Sequence, residues 1–390
     1  MKRLEKLSES PSTTSIPGLQ AIDGPPGVGK TTKILSEIQA FSSKEASRCA
    51  VITYTTAAAE VAKERLQDPD VDSGTIYKLS WQPVKRSTGA VQGRGPKAGT
   101  PWRSRKVSTS WDPVLDEYQE AAPSLKPQTE ERALAIELHK ATGSLDPFQL
   151  KGNRELKYVL PLAKWVWQGC PAREEEKYDQ IFIDEAQDMS KLELEATKGL
   201  LKEGGKVRAF MDPGQAIFAS QKGIEDQLAP AWTLAEERWR LQGGFRVGNP
   251  IASIASSVLD SYFSRPAESF AKEDETALEA WDPYGGPPPR GLVLGYSRAN
   301  VARWFKDWDL EETGIVPIQG NANHRIVMST IHSAKGAEAE EVYLLPWGKA
   351  ALDRLECRSP GELRLLYVAL TRASKTLYLP DNLSMRVPYL

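Results

Sequence analysis

Apolar and polar positions along this chain follow two rhythms. "LQAIDGPPGVGKTTKILSEIQAF" opens with a short apolar run, breaks at glycines, then continues with apolar residues at helical spacing. It reads as strand, glycine loop, helix. "CAVITYTTAAAEVAKERL" reads as a second buried strand and a second helix, and "GTIYKLS" as a third short strand. That alternation predicts a parallel sheet with crossover helices. The rhythm stops at Trp81. From Trp81 to Trp111 there are seven Lys/Arg, no Asp/Glu and seven Gly/Pro, the composition of a mobile basic loop or ribbon. Roughly 113–168 reads as helical, with "TEERALAIELHKATG" its clearest amphipathic stretch. The α/β rhythm returns at "YDQIFIDEAQD" and "KVRAFMDPGQAIF". A further α/β block runs from about Leu241 to the end, holding a polar, proline-rich linker, "AKEDETALEAWDPYGGPPPRG". Its last segment, "LRLLYVALTRASKTLYL", reads as a helix running into a strand, with Arg372 near the join.

Composition narrows the class without naming it. With 390 residues the chain has room for two or three domains. Net charge is −2, so any nucleic-acid surface must be local. Cys49, Cys170 and Cys357 are far apart and odd in number, and only three histidines accompany them. Neither a disulfide framework nor a zinc site is expected. Residues 1–17 are polar, with no signal-like apolar run, and no stretch approaches a membrane span. A soluble, cytoplasmic protein is the expectation.

Two segments carry phosphate chemistry. In "GPPGVGKT", Gly24, Pro25, Pro26, Gly27, Val28 and Gly29 form a loop ahead of Lys30, Thr31 and Thr32. Glycines let backbone N–H groups turn toward a polyphosphate, and the helix start adds a favourable dipole. Lys30 would neutralise the β/γ oxygens, and the Thr31 hydroxyl would ligate Mg²⁺. "IFIDEAQD" puts Asp184 and Glu185 at the end of an apolar strand, suited to Mg²⁺ and to orienting an attacking water. An acidic pair after a strand is otherwise an ordinary helix cap. These residues alone point to a nucleotide hydrolase or kinase.

In order, "ITYTTAAAEVAKER", "GTIYKLS", "DEAQD", "DPGQAIF", "LQGGFR", "IVMSTIHSAKGAEAEEVYLL" and "LRLLYVALTRAS" resemble the motif series of superfamily 1 helicases, most closely the UvrD/Rep/PcrA branch. The resemblance covers roughly 18–80 and 178–385. It implies an α/β fold of two RecA-like P-loop NTPase domains with parallel sheets, plus a mainly helical inserted subdomain. The first motor domain would be 1–80 and 179–240, the insertion 81–178 and the second motor domain 241–390. It further implies ATP and Mg²⁺ in the cleft between the motor domains, with Arg246 and Arg372 as arginine fingers. Gln215 would sense the γ-phosphate, Phe245 would stack on adenine and Glu338 would contact ribose. Tyr54, Thr55, Thr75, Tyr77, Thr330 and His332 fall in segments that line the single strand in that family. The basic start of the insertion (Arg103, Arg105 and Lys106 among it) would meet the duplex or displaced strand. The implied activity is an ATP-dependent 3′→5′ helicase or translocase on single-stranded DNA and its duplex junctions. It would act as a monomer, in replication, repair or recombination, and its compactness suggests a phage or mobile element.

Four departures stand out. The large insertion before "IHSAKG" in the bigger relatives is missing here. "ASQKG" follows "QAIF" where the family has a base-packing aromatic. "KGAEA" replaces "KGLEF". No adenine-reading glutamine is recognisable upstream of the phosphate loop, because Gln20 lies too close to it. Two other readings stay open. "DGPPGVGKTTKIL" also resembles the phosphate loop of superfamily 1 helicases from positive-strand RNA viruses. A nucleotide-switched DNA-binding or loading module would need no turnover. A small-molecule kinase would not need "DEAQD" together with "IHSAKG".

Overall fold

The computed structural model describes residues 4–7, 15–42, 48–53, 71–88, 168–217, 229–244, 246–260, 276–309 and 326–384, with isolated positions at 63, 64, 68, 162, 165, 166, 263, 271 and 272. Two parallel sheets organise them. The first has seven strands: β1 (Leu4–Lys6), β2 (Ile16–Asp23), β3 (Cys49–Ile52), β4 (Asp72–Gly74), β5 (Tyr178–Ile183), β6 (Leu201–Met211) and β7 (Ala235–Leu241), in the order β1-β7-β2-β6-β5-β3-β4. All its pairings are parallel except the short β1 against β7. The second has five: β8 (Ala277–Ala280), β9 (Gly291–Gly295), β10 (Ile326–Thr330), β11 (Ala339–Leu344) and β12 (Ala373–Leu379), in the order β10-β9-β11-β12-β8, all parallel. This is an α/β fold with two RecA-like sheets.

The near-continuous apolar strands of the sequence have a direct cause. A strand buried on both faces must be apolar at every position, because its side chains alternate between the faces. In β5, Ile181 and Ile183 enter one core and Phe182 the other. In β9, Leu292 and Leu294 join one core and Val293 the other.

The described helices are α1 (Lys30–Ser42), α2 (Ile76–Leu79), α3 (Trp81–Thr88), α4 (Lys191–Gly199), α5 (Pro230–Thr233), α6 (Asn249–Leu259), α7 (Arg298–Asp307), α8 (Lys349–Glu356), α9 (Pro360–Leu370) and α10 (Asp381–Ser384). None is long and apolar enough to cross a membrane.

Three expectations change. The third strand ends at Gly74, and "IYKL" is helix α2. The Thr75 side chain accepts the Lys78 N–H, so a local cap holds a helical turn. Trp81–Thr88 is helix α3, not loop: Val84 and Thr88, four residues apart, are buried, while Lys85 and Arg86 face solvent. The proline-rich linker contains β8, an edge strand with all four residues exposed. The amphipathic stretch within 113–168, and most of the expected insertion, lie outside the described residues.

Candidate functional site

The site is assembled at the strand ends of both sheets. β2 ends at Asp23, and the glycine loop leads directly into α1. Gly27 and Gly29 take φ of 70° and 77°, a backbone that side chains with a Cβ resist. Lys30 Nζ donates to Gly24 O at 2.7 Å, closing the loop on itself. Val28 points into the core, and its N–H donates to Pro25 O, so it shapes the loop from beneath.

From β5, Asp184 accepts the Thr31 hydroxyl at 2.9 Å on Oδ2 and the Glu185 N–H at 3.1 Å on Oδ1. Glu185 itself sits in the left-handed region, φ 59° and ψ 39°. That conformation is strained for a non-glycine residue, and such strain concentrates at functional sites. Burial and the charge of Glu185 push the Asp184 carboxyl up to about 6, against the pull of Lys30 and Thr31. Burial pushes Glu185 up as well, but Lys335, Lys30 and Gln187 outweigh it and hold this carboxyl below its usual range. The two neighbouring carboxyls are thus driven in opposite directions. Thr31 and Asp184 present convergent hard oxygens, a donor set that suits Mg²⁺ with retained waters. No cluster of three or more His, Cys, Asp or Glu with metal-site geometry occurs among the described residues.

The second sheet closes the site. Arg246 lies against the phosphate loop, and its Nε and Nη2 reach Glu338 Oε2 at 2.7 and 2.6 Å. Arg372, at the two-residue join of α9 and β12, is fully buried. It donates to Val368 O at 3.0 Å, Ala337 O at 3.0 Å, Thr371 Oγ1 at 3.2 Å and Gln215 Oε1 at 3.3 Å. Burial and the neighbouring Arg246 push its guanidinium down to about 9, partly offset by Glu185 and Asp212. It stays charged at neutral pH, and an anion in the cleft would relieve the penalty. Pro26, Gly27, Gly29, Lys30, Thr31 and Thr32 share one cleft of about 900 Å³ with Glu185, Gln215, Arg246, Glu338 and Arg372. Ligand pockets run to roughly 300–1,000 Å³. Gly24 and Pro25, in the same loop, and Asp184, which accepts the Thr31 hydroxyl, do not line the cleft themselves.

Other candidates sit apart from this cleft. Thr75 caps α2. Tyr77 packs on the first core. The Thr330 hydroxyl donates to Ser333 Oγ at 3.0 Å. Burial lowers the His332 imidazole, which makes it a neutral hydrogen-bonding group at pH 7 rather than a cation. Tyr54, Thr55, Arg103, Arg105, Lys106 and Phe245 lie outside the described residues.

The comparisons with known proteins fall on these same segments. Residues 12–221, more than half of the chain, match a family described as an AAA domain. Residues 310–383 match the UvrD-like helicase C-terminal domain. The chain belongs to the UvrD-like superfamily 1 helicases. No curated protein matches this chain. It is similar to the solved structure of Arterivirus nonstructural protein 10 (helicase), at 15% identity and TM-score 0.40, covering 93% of this chain and 59% of that one. The structure of PRRSV helicase gives 15%, 0.41, 93% and 52%. Arterivirus nonstructural protein 10 in complex with DNA gives 15%, 0.40, 94% and 63%. The chain therefore spans less than two thirds of each of those chains.

Four residues of this UvrD-like helicase carry contacts that the motif reading did not assign. Gln187 Nε2 donates to Glu185 Oε2 at 2.6 Å, and its Oε1 accepts the Asp212 N–H at 3.1 Å. Asp212 accepts Gln215 Nε2 at 2.7 Å. Tyr367 OH reaches the same Asp212 oxygen at 3.3 Å. Lys335, in the turn that follows β10, pairs with Asp188 and lies 3.6 Å from Glu185. All four stand inside quoted motifs, which was the available signal; their partners are set only by tertiary structure.

Proposed function

We propose that this chain is an ATP-driven motor on single-stranded DNA that moves 3′→5′ and unwinds duplex at junctions. The supporting observation is the convergence on one cleft of Lys30, Thr31 and Glu185 from the first sheet's side with Arg246, in the connection from β7 to α6, and Arg372 beside the second sheet. In this reading residues 1–80 with 179–240, and 241–390, are the two motor domains, and 81–178 is the insertion. Lys30 and the loop amides bind the polyphosphate. Thr31 and Asp184 hold Mg²⁺, which neutralises phosphate charge when bound. Glu185, kept ionised by Lys335 and Lys30, accepts the proton of the attacking water. Arg246 and Arg372 stabilise charge on the transferred phosphoryl, and Gln215 reports its presence to the opposite sheet. Phe245 and Glu338 contact the nucleoside, and Tyr54, Thr55, Thr75, Tyr77, Thr330 and His332 face the strand. Arg103, Arg105 and Lys106 meet the duplex. The setting is cytoplasmic, on replicating or repaired DNA.

The phosphate loop's likeness to those of viral RNA motors keeps RNA as the second substrate class. One experiment separates the readings. ATP turnover is measured alone, with single-stranded DNA and with single-stranded RNA, for the parent and Arg372→Ala. DNA stimulation that falls about 10³-fold in the variant, with nucleotide binding retained, is expected. Stimulation by RNA alone selects the RNA motor. Turnover indifferent to either polymer, or equal in the variant, overturns the motor.

A further inference from the structure

Gln215 is gripped at both ends of its amide. Its Nε2 donates to Asp212 Oδ2 and its Oε1 accepts from Arg372. This orientation is dictated by the partners, since a carboxylate only accepts and a guanidinium only donates. Asp212 is fully buried and accepts a third hydrogen bond, from the Gly214 N–H to Oδ1 at 3.1 Å. The Tyr367 hydroxyl is directed at Asp212 from α9 of the other sheet. Its ring lies so close to Gly214 that a Cβ there would fall 2.6 Å from the ring edge. Tyr367 and Arg372 also ride on one rigid helix end. Thr371 N and Oγ1 both donate to Tyr367 O, and Arg372 Nε donates to Val368 O. Any displacement of α9 therefore moves the donor to Asp212 and the donor to Gln215 together. On the first sheet, Asp212 N–H continues the chain through Gln187 to Glu185.

We propose that Tyr367 is a positioning residue for hydrolysis. Acting through Asp212, it sets the Gln215 amide and keeps base and finger in one register. The inference rests on the motor reading above. The variant that tests it is Tyr367→Phe, which keeps the ring against Gly214 and in the core. Three readouts are taken: polynucleotide-stimulated turnover, nucleotide affinity with melting temperature, and hydrogen exchange at Gly214 and Gln215. Expected is a fall of about tenfold in stimulated kcat with KM for ATP within twofold. The melting temperature should hold, and exchange at the two amides should accelerate. Asp212→Asn with Tyr367→Phe should be no slower than Asp212→Asn alone, because one path carries both effects. Parent-like kcat or unchanged exchange in Tyr367→Phe, or a double variant with multiplied losses, overturns the positioning role and leaves the motor standing. A lower melting temperature with equal losses in stimulated and unstimulated turnover overturns it in favour of simple packing. A parent that no polynucleotide stimulates overturns the motor reading and this inference with it.

Discussion

Replacing Gly27 by alanine separates two effects that most loop substitutions mix. Gly27 has φ of 70°, and an added Cβ would lie 2.4 Å from Arg246 Cβ, 3.1 Å from its N and 3.3 Å from its Cα. Carbon pairs rest at about 3.5–4.0 Å, so the Arg246 segment must retreat by more than 1 Å. The obstructed atoms are backbone and Cβ, and no flexible tip can swing away. The left-handed conformation itself costs roughly 1–2 kcal/mol with a Cβ. Gly169 supplies the control: its φ is 79°, and nothing lies within 4 Å of an added Cβ. Gly169→Ala should thus carry the conformational cost alone. The melting temperature of Gly169→Ala should fall by about 2–8 °C, and that of Gly27→Ala further, because it adds the clash with Arg246. Stimulated ATP turnover should split them, with Gly169→Ala near parent and Gly27→Ala down by 10²-fold or more, toward the loss of an arginine finger. Equal turnover in the two variants would refute the reasoning, because Arg246 would then not need to lie on the phosphate loop.

Thr31→Ala removes the hydroxyl that donates to Asp184 and should raise the Mg²⁺ needed for half-maximal turnover by about tenfold or more; an unchanged Mg²⁺ titration would remove Thr31 from the metal site. Lys335 is 10% exposed and pairs with Asp188, which is 1% exposed. Lys335→Met should lower stability by up to about 3 kcal/mol in urea unfolding, and a parent-like midpoint would show the pair to be dispensable. Glu362 receives Arg354 Nε at 2.6 Å and Tyr296 OH at 2.9 Å. Burial alone would raise its carboxyl, but hydrogen bonds from Arg354, Ser359 and Tyr296 hold it below its ordinary value. A depressed carboxylate stabilises fully above its unfolded value of about 4.3 and loses that as pH falls through the folded one. Glu362→Gln should therefore melt below the parent at pH 7, by about 1 kcal/mol given the half-exposed Arg354, with the gap closing below pH 4; a gap that persists there would sink the charge argument.

What the sequence disclosed was chemistry held within a few neighbouring residues. "GPPGVGKT" between a strand and a helix needs only local geometry, and so does the short join of α9 to β12 at Arg372. β8 was hidden because "ALEA" is exposed at all four positions and carries no alternation. "IYKL" is too short an apolar run for period to separate strand from helix. At Trp81–Thr88 the count of basic residues masked a buried stripe of Pro83, Val84 and Thr88. Asp212 with Tyr367, and Lys335 with Asp188, join residues 155 and 147 positions apart, a pairing that no spacing rule in one chain reveals.

The four bonds on Arg372 divide unequally. Val368 O, Ala337 O and Thr371 Oγ1 belong to its own half of the molecule, and only Gln215 Oε1 lies across the cleft. Swinging the side chain alone would break all four, whereas parting the halves breaks one. The guanidinium therefore behaves as a fixed tooth on a solid gear rather than as a gate with its own hinge. On the proposed motor reading, its timing is that of the whole second half, and any event that reseats that half reaches the phosphate as a single mechanical stroke.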